Sequence, residues 1–271
     1  MTPKTALGEK AEYPEHYAPE VLCAIPREEN RRILGIHAPP PFHGYDIWNA
    51  YEITWLGRDG KPAAAVGNIR VSADSSNIVE SKSVKLYLHS LAVQRFDSAD
   101  DVASLLADDL SAVAHSRVEV TLSSPAEIVA AGIGNLPGLC IDHADVVCDT
   151  WQVDPSLLRC DRRETVRESL HSHLFRSKCP VTDQPDFGSV LVSYHGPRID
   201  RRALLRYLAS YRSHKDFHES CIERIFVDLK SACSPTELSV YGRFNRRGGV
   251  DINPFRSDFE REVTNPRLWR Q

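Results

Sequence analysis

Hydrophobic and polar residues alternate from Tyr45 onward in a way that predicts a β-hairpin. One side of the first strand is formed by Tyr45, Ile47, Asn49, Tyr51, Ile53 and Trp55. Arg58-Asp59-Gly60 supplies a turn, and residues 63–71 fit a returning strand. The pattern therefore predicts two paired strands at the start of a folded region.

Two helical patterns follow this hairpin. The leucines at 86, 88 and 91 indicate a first helix, and apolar residues from Val102 to Val113 recur at the spacing of an amphipathic helix. Ser98 precedes the second helix as an expected N-cap, because its hydroxyl can accept a hydrogen bond from a free backbone N–H. A further strand is predicted to begin at Val118.

The second half of the chain shows the same order of patterns. Tyr87-Leu88-His89-Ser90 matches Tyr207-Leu208-Ala209-Ser210 at a spacing of about 120 residues, and Asp109-Leu110 matches Asp228-Leu229. A coincidence between generic helix patterns is the alternative. We interpret the match as two tandem β-β-α-α-β-β modules of an α+β protein with antiparallel sheets.

Three regions follow from this interpretation. Residues 1–43 lack periodicity and are predicted to form an extended or irregular N-terminal arm. Residues 44–160 form the first module and residues 161–271 the second. The pattern of Val166, Leu170 and Leu174 suits both a helix and a strand, so periodicity leaves that segment open.

Composition excludes several classes of protein. The 271 residues include 33 Lys and Arg against 37 Asp and Glu, which gives a net charge of −4. The overall charge therefore does not indicate a nucleic-acid-binding protein. No window approaches the ~18 consecutive apolar residues of a membrane span, and no secretory signal is visible. Seven scattered cysteines without a C-x-x-C pair argue against a disulfide framework and fit a reducing cytoplasm.

The stretch Ser177–Gly188 concentrates reactive groups in a stiff loop. Pro180 and Pro185 each restrict their own φ angle and the conformation of the preceding residue. A rigid loop that carries Cys179 and, seven positions later, Asp186 could direct a nucleophile and a proton-transfer group at one substrate atom. The alternative is a proline-rich surface turn with an incidental thiol.

Three shorter stretches suit a planar or anionic ligand. Glu80–Lys85 combines hydroxyl and ammonium groups at a helix start, which suits a phosphate, while Glu80 could accept hydrogen bonds from a base. At Phe217–Glu219, the carboxylate of Glu219 suits the N1–H and 2-amino edge of a guanine-like base. Arg246–Gly249 places guanidinium groups beside glycines. Taken singly, these stretches could be two helix caps and a solvated turn.

Two further patterns are set aside. Gly132-x-Gly134-x-x-x-Gly138 lacks the preceding strand and following helix of a dinucleotide-binding loop, so any nicotinamide cofactor would bind without a Rossmann unit. His171 and His173 would share one side of a strand, but no third ligand follows at a recognisable interval. We expect a packing or surface role for both histidines and no metal.

Taken together, four motifs resemble those of the NADPH-dependent 7-cyano-7-deazaguanine reductases, the nitrile reductases of queuosine biosynthesis, in their long two-module form. The motifs are E-S-K-S-V-K-L-Y at Glu80–Tyr87, S-K-C-P-V-T-D-Q-P-D-F-G at Ser177–Gly188, F-H-E at Phe217–Glu219 and R-R-G-G-V-D-I-N-P at Arg246–Pro254. The resemblance runs from about Tyr45 to the end of the chain. It implies a tunnelling fold, and it implies that residues 165–177 form a strand.

The resemblance also implies roles for individual residues. Cys179 corresponds to the nucleophile that forms a covalent thioimide, and Asp186 to the proton donor. The implied substrate-binding residues are Val79, Glu80, Ser81, His218 and Glu219, and the implied NADPH-binding residues are Ser81, Lys82, Arg247 and Gly248. Stacking of Phe217 on the base is our own inference. Asp183 and Phe187 depart from the family pattern without removing a catalytic group.

These roles lead to expectations about partners and alternatives. The motifs are split between the modules, so we expect an active site at a module interface and a homodimer or other homo-oligomer. We expect a cytoplasmic enzyme with a small deazapurine substrate, NADPH as cofactor, and neither direct nucleic-acid nor membrane binding. The alternatives are a Cys-dependent nitrile or amide hydrolase and a non-catalytic purine- or pterin-binding module on the same fold.

Overall fold

The computed structural model describes residues 13–271, in which α-helices and largely antiparallel strands are mixed along the chain. The strands are β1 (Ala24–Pro26), β2 (His43–Leu56), β3 (Pro62–Ser72), β4 (Asn77–Val79), β5 (Val118–Ser123), β6 (Leu139–Cys140), β7 (Cys160–Lys178), β8 (Pro185–Ile199), β9 (Glu237–Phe244) and β10 (Val250–Ser257). The α-helices are α1 (Arg27–Ile33), α2 (Ser81–Ser90), α3 (Ala99–Ala114), α4 (Pro125–Ala131), α5 (Arg201–Ala209) and α6 (His218–Cys233). Short 3₁₀ helices cover Pro19–Val21, Pro155–Leu157 and Ser210–Ser213.

The chain divides into two compact units. The first unit comprises Met1–Arg32, of which the structure describes residues 13–32, together with Tyr45–Gly132 and Arg246–Ile252. The second unit comprises Ile33–Gly44, Ile133–Asn245 and Asn253–Gln271. No helix within residues 13–271 is long and apolar enough to cross a membrane.

In the first unit, β3 lies between β2 and β5 in an antiparallel arrangement. The predicted hairpin is present, but the residues predicted to lie on one side of β2 do not all share that side. A bulge between Ala50 and Ile53 changes the side that faces the core, so Trp48 and Ala50 join the hydrophobic cluster together with Ile53 and Trp55. Alternation alone does not reveal such a bulge.

Helix α3 forms as its sequence predicts. Its buried side chains, Val102, Leu106, Leu110 and Ala114, recur every four residues and pack into the core of the first unit. The Ser98 hydroxyl accepts a hydrogen bond from the Asp101 backbone N–H at 3.2 Å, which confirms the expected N-cap. The helix ends at His115, whose φ of 52° is left-handed.

In the second unit, β7 and β8 form a long antiparallel hairpin, and β9 and β10 continue the sheet on the β8 side. The segment that periodicity left open belongs to β7, as the resemblance implied. A bulge between Ser172 and Phe175 explains the ambiguity, because it leaves Leu174 half exposed while Leu170 and Phe175 are buried. The periodic spacing of the leucines therefore does not correspond to one face.

Residues matched between the two halves make the same hydrogen bonds within each unit. The Tyr87 hydroxyl donates to Asp109 at 2.5 Å, and the Tyr207 hydroxyl donates to Asp228 at 2.6 Å. Ser90 and Ser210 each donate to the backbone carbonyl of the preceding matched tyrosine. These shared contacts support a true internal repeat over a coincidence of helix patterns.

The element order departs from the prediction in two places. Residues 160–257 follow the predicted β-β-α-α-β-β order, but in the first half of the chain β5 is followed by helix α4 instead of the fourth strand of the module. The lead-in predicted to be irregular contains β1, which pairs with β4, and α1. Arg27 at the start of α1 is buried against Asp46 at 2.6 Å. The part of that prediction that concerns residues 1–12 lies outside the described residues.

Candidate functional site

Cys179 and Asp186 lie at the tip of the β7–β8 hairpin. The last pair of this ladder is Lys178 with Pro185, so Cys179 follows the pair directly, and Asp186 lies opposite Ser177. The Cys179 N–H donates to the Gln184 carbonyl at 2.9 Å. Cys179 and Asp186, seven positions apart in the sequence, therefore lie on the two sides of one turn at the same end of the hairpin.

Both side chains are shielded from solvent. Cys179 retains 8% of its surface and Asp186 only 2%. The Asp183 N–H donates to the Cys179 carbonyl at 3.2 Å, so both backbone groups of Cys179 are engaged within the loop. A buried thiol with a fixed backbone suits a positioned nucleophile better than an incidental surface cysteine.

The N-terminus of α6 adds an imidazole to this group. His218 Nε2 lies 3.4 Å from Asp186 Oδ2, and the His218 ring stacks on Phe244 with centroids 3.8 Å apart and planes at 4°. Among the described residues, the buried Nδ1 of His218 has no hydrogen-bond partner. A buried polar atom without a partner is costly, so this nitrogen is ready to contact a ligand.

Hydrogen bonds connect the segment before α6 to the end of β7, next to Cys179. The Lys178 N–H donates to the His214 carbonyl at 2.8 Å, and the Asp216 N–H donates to the Lys178 carbonyl at 3.1 Å. Phe217 is the N-cap, and its N–H donates to Asp216 Oδ1 at 2.8 Å. Glu219 follows in the first turn with 4% exposure. The second unit therefore brings together Cys179, Asp186, His218 and Glu219.

A second buried thiol in this region is unsuited to nucleophilic attack. Cys221 belongs to α6 and is fully buried. Burial raises the pKa of the Cys221 thiol well above its ordinary value, and the Asp216 carboxylate adds to the increase. Because the thiolate is the nucleophilic form, Cys221 is held in its unreactive state.

The first unit holds the other predicted ligand-binding residues. Val79 ends β4 with its side chain in the hydrophobic core, and Ser81 begins α2. Glu80 is the N-cap of α2, where its carboxylate accepts hydrogen bonds from the backbone N–H of Lys82 at 2.7 Å and of Ser83 at 2.8 Å. The helix-cap role considered for Glu80 is thus present. A carboxylate still has lone pairs for a ligand in addition to these two bonds.

Arg247 and Gly248 form a tight turn in the same unit. The Arg247 N–H donates to the Val250 carbonyl at 2.9 Å, and Gly248 and Gly249 have φ angles of 59° and 81°. Such a turn strongly favours glycine at both central positions. A Cβ on Gly248 would lie 3.1 Å from Cδ of Lys85, so this turn packs beside α2.

Two further residues lie beside the predicted ones: Lys85, whose ammonium group the sequence already suggested for a phosphate, and Phe244, to which the sequence assigned no role. Lys85 lies within the quoted Glu80–Lys85 stretch, one turn beyond Lys82, and contributes a further cation beside Gly248. Phe244 is the last residue of β9 and stacks on His218. Because that contact joins a strand end to a helix start, no local pattern could indicate it.

A charged groove of the second unit lies at the opposite end of the β7–β8 hairpin. It has a volume of about 700 Å³ and is lined by residues that include Arg163, Arg198 and Arg201. These arginines pair with Asp161, Glu164 and Glu168, respectively. The groove contains none of the predicted site residues.

Comparisons with known proteins agree with the motifs. Residues 13–122 match the family model described as nitrile reductase, 7-cyano-7-deazaguanine-reductase N-term, and residues 185–263 match that of QueF-like protein. The chain is 50% identical over 252 residues to the NADPH-dependent 7-cyano-7-deazaguanine reductase of Dechloromonas aromatica (strain RCB), covering 93% of this chain and 89% of that protein. A crystal structure of the archaeosine synthase QueF-Like in the apo form aligns with 36% of this chain and 96% of that chain. Its identity is 21% and its TM-score 0.32, too low to support a conclusion about the fold.

Proposed function

The chain belongs to the 7-cyano-7-deazaguanine reductase family of nitrile reductases, and from this premise we propose that it reduces 7-cyano-7-deazaguanine to 7-aminomethyl-7-deazaguanine with NADPH. The product serves queuosine biosynthesis and hence tRNA modification. The observation that carries the proposal is the arrangement at the β7–β8 tip, where buried Cys179 and Asp186 lie at the same end of the hairpin and Asp186 contacts His218.

Cys179 forms the covalent bond to substrate. Its sulfur adds as a thiolate to the electrophilic nitrile carbon, and one π bond of the nitrile opens toward nitrogen. The nitrogen takes up a proton, so the product of addition is a neutral thioimide with no leaving group. The short loop that fixes the Cys179 backbone limits the positions available to its sulfur.

Asp186 and His218 are assigned to proton transfer to the substrate nitrogen. Asp186 is assigned as the donor to the substrate nitrogen, where negative charge develops as the sulfur adds. His218 Nε2, 3.4 Å from Asp186 Oδ2, can return a proton to this carboxylate between steps. Stacking on Phe244 keeps the imidazole in one plane for this exchange.

Recognition of the base is assigned to residues at the start of α6 and to residues at the start of α2. The Glu219 carboxylate accepts hydrogen bonds from N1–H and the 2-amino group, and His218 Nδ1 supplies a further polar contact. Phe217 offers a face for stacking. In the first unit, Val79, Glu80 and Ser81 are assigned to the same substrate, with Val79 contributing backbone groups because its side chain is in the core.

The residues assigned to NADPH suit its phosphates. NADPH would be held by Ser81, Lys82, Arg247 and Gly248. These residues offer a hydroxyl, two cations and a glycine turn whose backbone N–H groups a phosphate can approach closely. NADPH supplies hydride, and two are needed because conversion of a nitrile to a primary amine is a four-electron change. Lys85 beside Gly248 adds positive charge to this region.

The same proposal extends to the fold and assembly. We infer that the mixed α+β architecture is a tunnelling fold and that the enzyme acts as a homodimer or larger homo-oligomer in the cytoplasm. The shared tyrosine–aspartate contacts support repeated modules, which this fold requires.

Intact mass spectrometry tests the nucleophile. Incubation with 7-cyano-7-deazaguanine in the absence of NADPH should increase the protein mass by one substrate. Cys179→Ala should show no increase, while the control Cys148→Ser should form the adduct at the wild-type level. An adduct retained in Cys179→Ala would contradict the mechanism.

The absorbance of NADPH distinguishes reduction from the alternatives. A reductase oxidises two NADPH per nitrile consumed, whereas a Cys-dependent hydrolase would release ammonia and leave the cofactor unchanged. A purine- or pterin-binding module would bind the base without converting it. Loss of substrate without NADPH oxidation would refute the proposed reaction.

A further inference from the structure

Three side chains of types that can ligate a metal converge outside the set of predicted site residues. Cys140, His171 and His173, all in the second unit, each place a ligand atom within 4.8 Å of the other two. From the sequence, the two histidines had no third ligand at a regular interval, and a packing or surface role was expected. The structure supplies the third ligand from β6.

Strand pairing explains why these residues meet. The two-residue strand β6 pairs with β7 in parallel, with Cys140 opposite His171. The Ile141 N–H donates to the His171 carbonyl at 2.9 Å, which continues the same pairing. His171 and His173 share one side of β7, and their rings lie 5.1 Å apart.

Hydrogen bonds orient both imidazoles as in metal sites. His171 Nδ1 lies 2.9 Å from the Pro137 carbonyl, and His173 Nδ1 lies 2.8 Å from the Ser189 hydroxyl. A carbonyl only accepts, so His171 Nδ1 carries the proton and Nε2 keeps its lone pair. Metal-binding histidines commonly fix one ring nitrogen on a backbone or polar group in this way and coordinate with the other.

The charges around the cluster suit a divalent cation. Asp142 accepts hydrogen bonds from the His173 backbone N–H at 3.0 and 3.2 Å. One Cys140 thiolate and the Asp142 carboxylate together balance a charge of +2. Arg270 opposes the cation, but its guanidinium donates to the His173 carbonyl at 2.7 Å and is occupied there.

We propose that Cys140, His171 and His173 bind one Zn²⁺ ion, with water as the fourth ligand. One thiolate and two imidazoles form a ligand set that zinc binds in tetrahedral geometry. The ion would fasten β6, which has only two paired residues, to the edge of β7. This site takes no part in the proposed reduction, so either proposal can fail without the other.

Cobalt substitution provides a direct test. Untagged protein is stripped with a chelator and titrated with Co²⁺ alone. We expect one Co²⁺ per chain, with tetrahedral visible bands and a near-ultraviolet charge-transfer band from a single thiolate. Zn²⁺ should displace Co²⁺ stoichiometrically. Wild-type protein that is folded by circular dichroism yet shows no such band would overturn the proposal without recourse to any variant.

Matched variants assign the ligands. Cys140→Ser should lose the charge-transfer band, and His171→Gln and His173→Gln should each weaken Co²⁺ binding by at least tenfold. Cys148→Ser and Cys179→Ala should both retain the band, which separates this site from another half-buried thiol and from the proposed nucleophile. A band that persists in Cys140→Ser, or disappears in Cys179→Ala, would overturn the assignment.

Thermal unfolding gives an independent readout. A ligand that binds only the folded state raises the unfolding temperature, so Zn²⁺ should shift the wild-type transition upward. The Cys140→Ser transition should not move with Zn²⁺. Equal shifts in both proteins would indicate adventitious binding and contradict the proposal.

Discussion

The imidazole of His218 contacts the Asp186 carboxylate and stacks on the Phe244 ring. This arrangement bears on how Asp186 could gain and lose a proton. Asp186 is almost fully buried, and we propose that it exchanges protons with His218 Nε2, which lies 3.4 Å from its Oδ2. On this proposal, repeated turnover requires the imidazole to stay in contact with the carboxyl group. Local sequence placed Cys179 and Asp186 together, but not His218, which comes from a helix more than thirty positions later.

Replacing Asp186 tests its role as proton donor. Asp186→Asn keeps the shape of the side chain but removes the transferable proton. We expect NADPH oxidation to slow by roughly 100-fold or more, in line with the loss of a general acid. Steady-state absorbance measures this rate, and unchanged thermal unfolding serves as the control for folding. A rate within a factor of three of wild type would remove Asp186 from the mechanism.

The buried carboxyl of Asp228 predicts an unusual dependence of stability on pH. Burial raises the pKa of Asp228 above its ordinary value of 3.8, although the Tyr207 hydrogen bond and Arg224 oppose the increase. The folded state therefore binds more protons than the unfolded state just above pH 3.8, and this group lowers the free energy of unfolding as pH rises through that window.

Asp228→Asn should remove this effect. Relative to wild type, the variant should gain stability progressively from pH 4 upward, because only the wild-type group becomes charged. Urea unfolding at a series of pH values measures the difference, with Asp100→Asn as an exposed control. A difference that stays constant with pH would contradict the prediction.

At the level of elements, helices were more predictable than strand faces. The spacing of Val102, Leu106 and Leu110 sufficed to place α3. Two strands were harder because bulges in β2 and β7 exchange the sides of the strand, and alternation carries no sign of them. The sequence did carry a signal for α4 that we missed, since Ser124 and Glu127 form a capping box with Pro125 between them.

Variants of Glu80, the N-cap of α2, can separate its proposed role in substrate binding from its contribution to the stability of the fold. Glu80→Ala should lower the free energy of unfolding by about 1 kcal/mol through loss of the cap. Glu80→Asp should keep a capping carboxylate and hence most of that stability, but it withdraws the group by one methylene. If Glu80 also binds the base, the aspartate variant should raise KM for the nitrile at least tenfold. Wild-type KM in Glu80→Asp would leave Glu80 with the capping role alone.

At the scale of the whole molecule, the matched residues support the predicted repeat, while the element order of the first half departs from it. Matched tyrosine, serine and aspartate residues make equivalent hydrogen bonds in both units. The Cys140–His171 pairing could not be predicted, since it depends on a parallel contact made by a strand of only two residues. Short elements carry too few residues to show a period.

Assembly is the remaining prediction at this scale. We expect sedimentation equilibrium to give a mass of at least twice the 30.4 kDa of one chain at micromolar concentration. Dilution that lowers the mass should lower specific activity in parallel if the assembly is required for catalysis. A fully active 30.4 kDa species would contradict the proposed homo-oligomer.

The uneven burial of the seven free thiols governs how the protein can be labelled. Cys179, Cys221 and Cys233 are buried, whereas Cys23, Cys140, Cys148 and Cys160 are half-buried. An alkylating dye added to native protein should react first with the four half-buried thiols. The total amount of bound dye will therefore not show whether Cys179 has been modified. Inhibitor screening against this enzyme therefore needs peptide-resolved mass spectrometry, and fluorescent probes are best attached at Cys148 after the other accessible thiols are replaced.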